Sequence, residues 1–295
     1  MRALALRGGV SENYHMRLSV LVVGAALSVA STFAHAQDWG SVTTPSLGPA
    51  RVIGGAADGC IAGAAELPAD GVGFEAIRLS RHRNYGHPET IAFVERLARE
   101  AHAAGLEAFY VGDMAQPRGG PMTYGHGAHE NGLDVDIWFN LDSKPLLAPA
   151  DREEVALPLM VLPDRSDIDP AHFGVRQVTL LRLAAHDSKV DRIFVHPTIK
   201  RALCQGRFGA DEGDSAWLHK IRPWYGHDEH FHVRLVCPPD SPLCVSQTPI
   251  PAGDGCDQSL DWWFERHALQ PPPAPTQPRP RQHLPEACET VLSQK

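Results

Sequence analysis

Apolar and polar residues alternate in two short segments of the chain, 133–137 and 230–235. The polar positions are Asp134 and Asp136 in the first segment and His230, His232 and Arg234 in the second. Because successive side chains of a strand point to opposite faces, each segment predicts a strand with one apolar face directed toward a core. Two such strands side by side would present carboxylates and imidazoles to one cleft.

The remaining pattern predicts three helices, two more strands and several irregular connections. Helices are predicted over 89–105, 176–186 and 197–204. Strands are predicted over 106–111 and 192–196. No long periodicity is present in 37–72, in the polar loop 80–88, in 145–175 or beyond residue 238. The chain is therefore predicted to form one α+β domain with tails.

The first residues predict an exported protein. An apolar run over 18–33 follows Arg17 and ends in the small-x-small sequence of 34–36, which is typical of a cleaved signal peptide. The run is short for a bilayer, which needs ~20 apolar residues, and no cysteine follows the cleavage site. We therefore expect a signal peptide over 1–36 and no stable membrane anchor. Met16 is as good a translation start as the first residue.

Composition narrows the partners and the kind of metal site. The formal net charge is -8 and the basic residues are dispersed, so nucleic acid is not an expected partner. Six cysteines, an even number, predict three disulfides in an exported protein, with fifteen possible pairings. They are Cys60, Cys204, Cys237, Cys244, Cys256 and Cys288, and none belongs to a C-x-x-C pair. A metal is therefore expected on histidines and carboxylates.

The two predicted strands and the loop before the first carry the ligand set of an open zinc site. His129, Asp136 and His232 supply three ligands and leave a fourth position for water, the arrangement of catalytic zinc. Zinc would lower the pKa of that water from ~15.7 to ~7. His230 lies two residues from a proposed ligand and is the candidate general base.

Three further residues complete this prediction. His227 and His126 are candidates for stabilising the oxyanion or protonating the leaving amine. Asp134 is expected to orient an imidazole rather than to bind the metal. An H-x-H sequence such as 230–232, or a histidine seven residues before an aspartate such as His129 and Asp136, is on its own more often a surface or structural feature. The two patterns together, in an exported protein and with apolar alternation behind them, favour a metal site.

At these positions the chain resembles the penicillin-insensitive murein endopeptidases, periplasmic members of the superfamily that joins lysostaphin-type peptidases, D-alanyl-D-alanine peptidases and hedgehog domains. The resemblance covers about Cys60 to Cys288. The motifs that carry it are Gly112-Asp113-Met114, Gly125-His126-x-x-His129-x-x-Gly132-Leu133-Asp134-Val135-Asp136 and Arg222-Pro223-Trp224-x-x-His227-x-x-His230-x-His232-Val233-Arg234-Leu235. It implies a small antiparallel sheet flanked by helices, a zinc site on the sheet face, and cleavage of D-alanyl–meso-diaminopimelyl cross-links in peptidoglycan.

The resemblance also implies residue roles. Zinc falls on His129, Asp136 and His232, with His126 against the metal and sometimes counted as a ligand, and the catalytic histidines fall on His230 and His227. The implied disulfides are Cys60–Cys288, Cys204–Cys256 and Cys237–Cys244. A second metal described for some members would fall on Asp164 and Asp167, where an aspartate replaces the expected histidine.

The predicted organisation is a signal peptide over 1–36, a zinc endopeptidase domain over 37–269 and a proline-rich tail over 270–295 tied back by a disulfide. Peptidoglycan is the expected partner, and a homodimer is left open. Arginines on polar loops are candidates for binding the carboxylates of the stem peptide, namely Arg81, Arg83 and Arg118. Two alternative functions are a D,D-carboxypeptidase or dipeptidase acting on stem peptides and a non-catalytic, zinc-stabilised peptidoglycan-binding module.

Overall fold

The computed structural model describes residues 39–209, 215–265 and 283–294. The described strands are β1 (Arg51–Gly54), β2 (Gly59–Ala62), β3 (Ala65–Glu66), β4 (Asp70–Gly71), β5 (Phe74–Ala76), β6 (Tyr85–Gly86), β7 (Phe109–Val111), β8 (Asp134–Trp138), β9 (Val190–Val195), β10 (Ile221–Pro223) and β11 (His230–Leu235). The described helices are α1 (Pro88–Ala103), α2 (Val175–His186), α3 (Pro197–Cys204), α4 (Gln258–Asp261) and α5 (Glu286–Ser293). These bounds confirm the predicted α+β composition.

Seven strands form one mixed sheet in the order β10-β9-β11-β8-β7-β5-β4. The expectation of a purely antiparallel sheet is wrong at two pairs, because β7 runs parallel to β5 and β10 runs parallel to β9. Parallel neighbours need a crossover connection, usually a helix. Here α1 lies in the chain between β5 and β7, and α3 lies between β9 and β10.

The centre of this sheet is the antiparallel pair β8 and β11, the two strands predicted from alternation. Their register places His232 opposite Asp136 and Arg234 opposite Asp134. The apolar residues of both strands point the other way and are at most 3% exposed, namely Leu133, Val135, Ile137, Phe231, Val233 and Leu235. The predicted division into an apolar face and a face that carries carboxylates and imidazoles is therefore confirmed.

Helix α1 begins where the sequence predicted a helix and packs on the apolar side. The ring of His87 accepts a hydrogen bond from the backbone N–H of Glu89, and Pro88 occupies the first turn, which is a favourable helix start. The inward face is fully or almost fully buried and comprises Thr90, Phe93, Val94, Leu97, Ala98 and Ala101. The predicted helices over 176–186 and 197–204 are confirmed as α2 and α3.

Residues 37–72 contain four strands, so the interpretation of this segment as an irregular lead-in is wrong. The strands have two to four residues each, too few for alternation to be recognised. β1 and β2 form a separate antiparallel pair, and β3 pairs with β6 from the predicted polar loop. The predicted connection over 145–175 does lack named helices and strands until α2.

The C-terminal helix α5 is held against β2. The structure has the disulfides Cys60–Cys288, Cys204–Cys256 and Cys237–Cys244, the same pairs that the resemblance implied. Arg118 is only 6% exposed and donates hydrogen bonds to the carbonyls of Val291 and Leu292 in α5 and of Gln294 directly after it. The expectation that Arg118 binds substrate is therefore wrong, because burial and these carbonyls occupy its guanidinium.

Two predictions fall outside the described residues. The signal peptide over 1–36 is one, and the larger part of the proline-rich segment 270–285 is the other. No helix in the described parts of the chain combines the length and apolar character needed to cross a bilayer.

Candidate metal centre

Four histidine side chains surround the carboxylate of Asp136 on the polar face of the sheet. Its Oδ1 lies 3.4 Å from Nε2 of His129 and 3.3 Å from Nδ1 of His232. Its Oδ2 lies 3.6 Å from Nδ1 of His126 and 3.7 Å from Nε2 of His230. The side chains of His129, Asp136 and His232 are at most 7% exposed. The structure thus brings together five of the residues singled out in the sequence.

The donor set fits a metal ion. Both ring nitrogens of His129 and Oδ1 of Asp136 are buried and have no hydrogen-bond partner among the described residues. Buried polar atoms without partners are costly and rare. Tetrahedral zinc with ligand distances of ~2.0–2.1 Å separates its ligand atoms by ~3.3 Å, which matches the spacing around Oδ1. Atoms of His126, His129 and Asp136 also lie within 4.8 Å of one another, so this group can hold a metal.

Asp134 fixes the orientation of two of these residues. It is fully buried, it pairs with Nε2 of His232 at 3.0 Å, and it accepts the backbone N–H of His129 at 3.0 Å. Arg234 donates to the same carboxylate at 2.7 Å. Burial opposes ionisation, yet Arg234 and His232 hold the pKa of Asp134 well below its usual range. Because Nε2 of His232 faces Asp134, its Nδ1 is left free to face Asp136.

Asp113 orients the ring of His126 as Asp134 orients that of His232. The sequence analysis had assigned Asp113 no role. The loop after β7 carries this buried carboxylate, which pairs with Nε2 of His126 at 2.9 Å. Arg83 donates to it at 2.8 Å and Arg81 at 3.2 Å. The only sequence signal was its place in a motif of the resemblance. Arg83 is 5% exposed, so the expectation that it binds substrate is wrong.

His230 belongs to the cluster of four histidines around Asp136, and the ring of His227 lies 5.1 Å from that of His230. His227 directs Nδ1 to the carbonyl of Tyr225 at 2.7 Å, and the His230 ring lies 5.0 Å from that of Trp138. Burial lowers the pKa of both imidazoles, that of His227 strongly. Burial thus favours the neutral imidazole, in which one ring nitrogen is able to accept a proton.

Two site histidines have an unusual backbone. His129 and His227 adopt φ values of 68° and 55°, in the left-handed region that residues other than glycine seldom occupy. This conformation costs ~1–2 kcal/mol for an L-residue. Strain of this kind is concentrated at functional sites, where the surrounding contacts maintain it.

Asp164 and Asp167, the candidates for a second metal, do not join the cluster. Asp164 accepts hydrogen bonds from Ser166, and Asp167 pairs with Arg207 at 2.5 Å. Neither belongs to a group of metal-ligating side chains among the described residues.

Comparison with known proteins places this site in a family. A sequence model described as penicillin-insensitive murein endopeptidase matches residues 52–293. The protein of that name from Haemophilus influenzae is 42% identical over 283 residues, which span 94% of this chain and 95% of that protein. The one from Yersinia enterocolitica is 40% identical, spanning 90% and 94%, and the one from Klebsiella pneumoniae is 38% identical, spanning 95% and 99%. This chain belongs to the penicillin-insensitive murein endopeptidase family.

Proposed function

We propose that this protein is a periplasmic zinc metallo-endopeptidase that cleaves D-alanyl–meso-diaminopimelyl cross-links of peptidoglycan after removal of residues 1–36. Family membership and the names of the relatives, all penicillin-insensitive murein endopeptidases, support the endopeptidase reaction. Three disulfides suit an oxidising compartment outside the cytoplasm. The observation that carries the proposal is the convergence of His129 Nε2 and His232 Nδ1 on Oδ1 of Asp136.

His129, Asp136 and His232 would hold the metal, and His126 lies alongside them. Bound zinc supplies a Lewis acid that polarises a carbonyl and makes water acidic enough to attack at neutral pH. The protein contributes the fixed geometry. Asp134 keeps Nδ1 of His232 turned toward Asp136, and Asp113 holds the ring of His126 at 2.9 Å.

His230 is the proposed general base. Burial lowers the pKa of its imidazole and so favours the neutral ring. Its Nδ1 has no hydrogen-bond partner among the described residues, and its Nε2 lies 3.7 Å from Asp136. It can therefore accept the proton of the attacking water.

His227 is the proposed proton donor to the leaving amine. With Nδ1 bound to the Tyr225 carbonyl, its Nε2 is the nitrogen that exchanges protons. Its ring lies 5.1 Å from that of His230, so the proton that His230 takes from water would pass to Nε2 of His227 and from there to the nitrogen of the leaving amine as the amide bond breaks. Burial lowers the pKa of the His227 imidazole well below its usual range, which favours release of that proton. In this scheme water attacks the carbonyl of D-alanine and no acyl-enzyme forms. The reaction thus needs no serine that penicillin could acylate.

The test is digestion of purified peptidoglycan sacculi by residues 37–295, with the soluble products identified by mass. We expect cross-linked dimers to be converted to monomers, with loss of activity in chelator and its return on adding zinc. His230→Ala should retain zinc and lose cleavage. His172→Ala, a change at an exposed histidine outside the cluster, is the matched control and should stay active.

Two other outcomes would contradict the proposal. Trimmed monomers with intact dimers would identify a carboxypeptidase acting on stem peptides. Zinc-loaded protein that binds sacculi and leaves every product unchanged would identify a binding module.

A further inference from the structure

Arg78 lies at the edge of the catalytic cluster between β5 and the 3₁₀ turn Leu79–Arg81. Its guanidinium carbon is 4.7 Å from the centre of the Trp138 ring, and the Trp138 ring is 5.0 Å from that of His230. This cation and the proposed base are therefore neighbours of the same indole. Stacking on the ring restrains the guanidinium plane and leaves its N–H groups at the rim.

Among the residues that the structure describes, the guanidinium of Arg78 has a ring contact and no polar partner. Four other arginines around the cluster already have carboxylate partners. They are Arg81 and Arg83 on Asp113, Arg165 on Asp228, and Arg234 on Asp134. In the described parts of the chain, the side chain of Arg78 makes no hydrogen bond and no ion pair. It is only half-buried, so a ligand can reach it.

The negative charge around Arg78 gives this cation a role in binding an anionic substrate. Arg78 is near enough to Asp113, Asp136 and Glu229 to feel their negative charges, although it contacts none of them. An anionic substrate approaching the cluster would be repelled by these carboxylates. A planar guanidinium with unused donors is the group best suited to receive a carboxylate there, through two parallel hydrogen bonds.

The proposed substrate has a carboxylate at the right place. In a D-alanyl–meso-diaminopimelyl cross-link, the nitrogen of the scissile amide is attached to a carbon that also bears a carboxylate. We infer that Arg78 binds this carboxylate, and that the enzyme therefore selects cross-links in which the group is free over those in which it is amidated. The inference rests on the proposed function and adds a substrate-binding residue to it.

The test compares cleavage of two purified cross-linked dimers that differ only at this group, one with the free carboxylate and one with the carboxamide. Wild-type enzyme is expected to have a kcat/KM that is ~10- to 100-fold higher on the acid, the usual contribution of charge-assisted hydrogen bonds. Arg78→Gln should lower the rate on the acid and bring the ratio close to one. Arg78→Lys, which keeps the charge and loses the paired geometry, should give an intermediate ratio.

Arg81→Gln is the matched control because Arg81 already has Asp113 as its partner. It should retain the wild-type ratio whatever its effect on the two absolute rates. Zinc content and circular dichroism of each variant establish that it is folded. Wild-type cleavage of both dimers at equal rates would overturn the inference and leave the endopeptidase function standing. A preference that persists in Arg78→Gln, or that disappears in Arg81→Gln as well, would also overturn it. Failure to cleave either dimer would instead refute the proposed function.

Discussion

Asp134→Asn removes one negative charge from a fully buried side chain and changes its shape very little. In the structure this carboxylate holds His232 at 3.0 Å, the backbone of His129 at 3.0 Å and Arg234 at 2.7 Å. An asparagine has one oxygen and one NH₂ group, so its nitrogen would face one of these donors. The variant therefore loses an ion pair and places two donors against each other.

Two magnitudes follow from these contacts. Loss of a carboxylate that orients a metal-binding histidine commonly lowers metal affinity by ~10- to 100-fold. Arg234 has a side chain only 12% exposed, and leaving a buried charge unpaired costs ~3 kcal/mol or more. In a domain of this size that cost corresponds to a fall in Tm of ~6–12 °C.

The assays separate the two effects. Competition with a chromophoric chelator gives the zinc affinity, and thermal unfolding of the metal-free protein gives the stability. Asp240→Asn is the control, because Asp240 is half-exposed and its partner Arg51 is exposed as well. That change should cost less than ~1 kcal/mol. Zinc affinity of Asp134→Asn within twofold of wild type, together with an unchanged Tm, would refute the reasoning.

Three further predictions concern the rest of the fold. Burial, together with the nearby charge of Arg222, lowers the pKa of Lys200 to about 7. Above pH 7 the unfolded chain therefore keeps a proton that the folded chain has released. The free energy of unfolding should rise by ~1.4 kcal/mol per pH unit in this range. Urea unfolding should show this gain between pH 7.5 and 9.5 in wild type, and a Lys200→Met variant with the same gain would contradict it. Arg118→Ala removes two hydrogen bonds to carbonyls of α5 and a third to the carbonyl of Gln294 directly after it, and should cost ~2–4 kcal/mol. Limited proteolysis should then cut within α5, and unchanged resistance would contradict the assigned role. Replacing Cys60 and Cys288 by alanine opens a link between residues 228 apart and should cost ~2–5 kcal/mol with zinc binding retained. Loss of zinc from that variant would show that the Cys60–Cys288 disulfide maintains the geometry of the metal centre.

Strands β8 and β11 could be predicted because their signal is local. Alternation with a period of two is contained within five or six residues, and it placed Asp134, Asp136, His230 and His232 on one face of their strands. The orienting role of Asp134 could also be predicted, because carboxylates near metal-binding histidines commonly orient the imidazole. The hydrogen bond between Asp134 and His232 confirms that expectation.

The parts that could not be predicted depend on distant contacts. Asp113 has no periodic context, and its role exists only because the fold brings it to His126 and to Arg83, 30 residues earlier in the chain. Arg118 was expected to face substrate, because a loop sequence does not show that α5 will cover it. Strands of two residues such as β3 exist only through their pairing partners and leave no pattern of their own.

Zinc stoichiometry of single variants tests the central claim most directly. Residues 37–295 would be purified as wild type, His129→Ala, Asp136→Ala, His232→Ala and His230→Ala, and the metal bound per chain would be measured after dialysis. We predict one zinc in wild type and in His230→Ala, with loss of zinc in the three ligand variants. Full zinc in any of those three, or its loss from His230→Ala, would contradict the proposed assignment of metal ligands and general base.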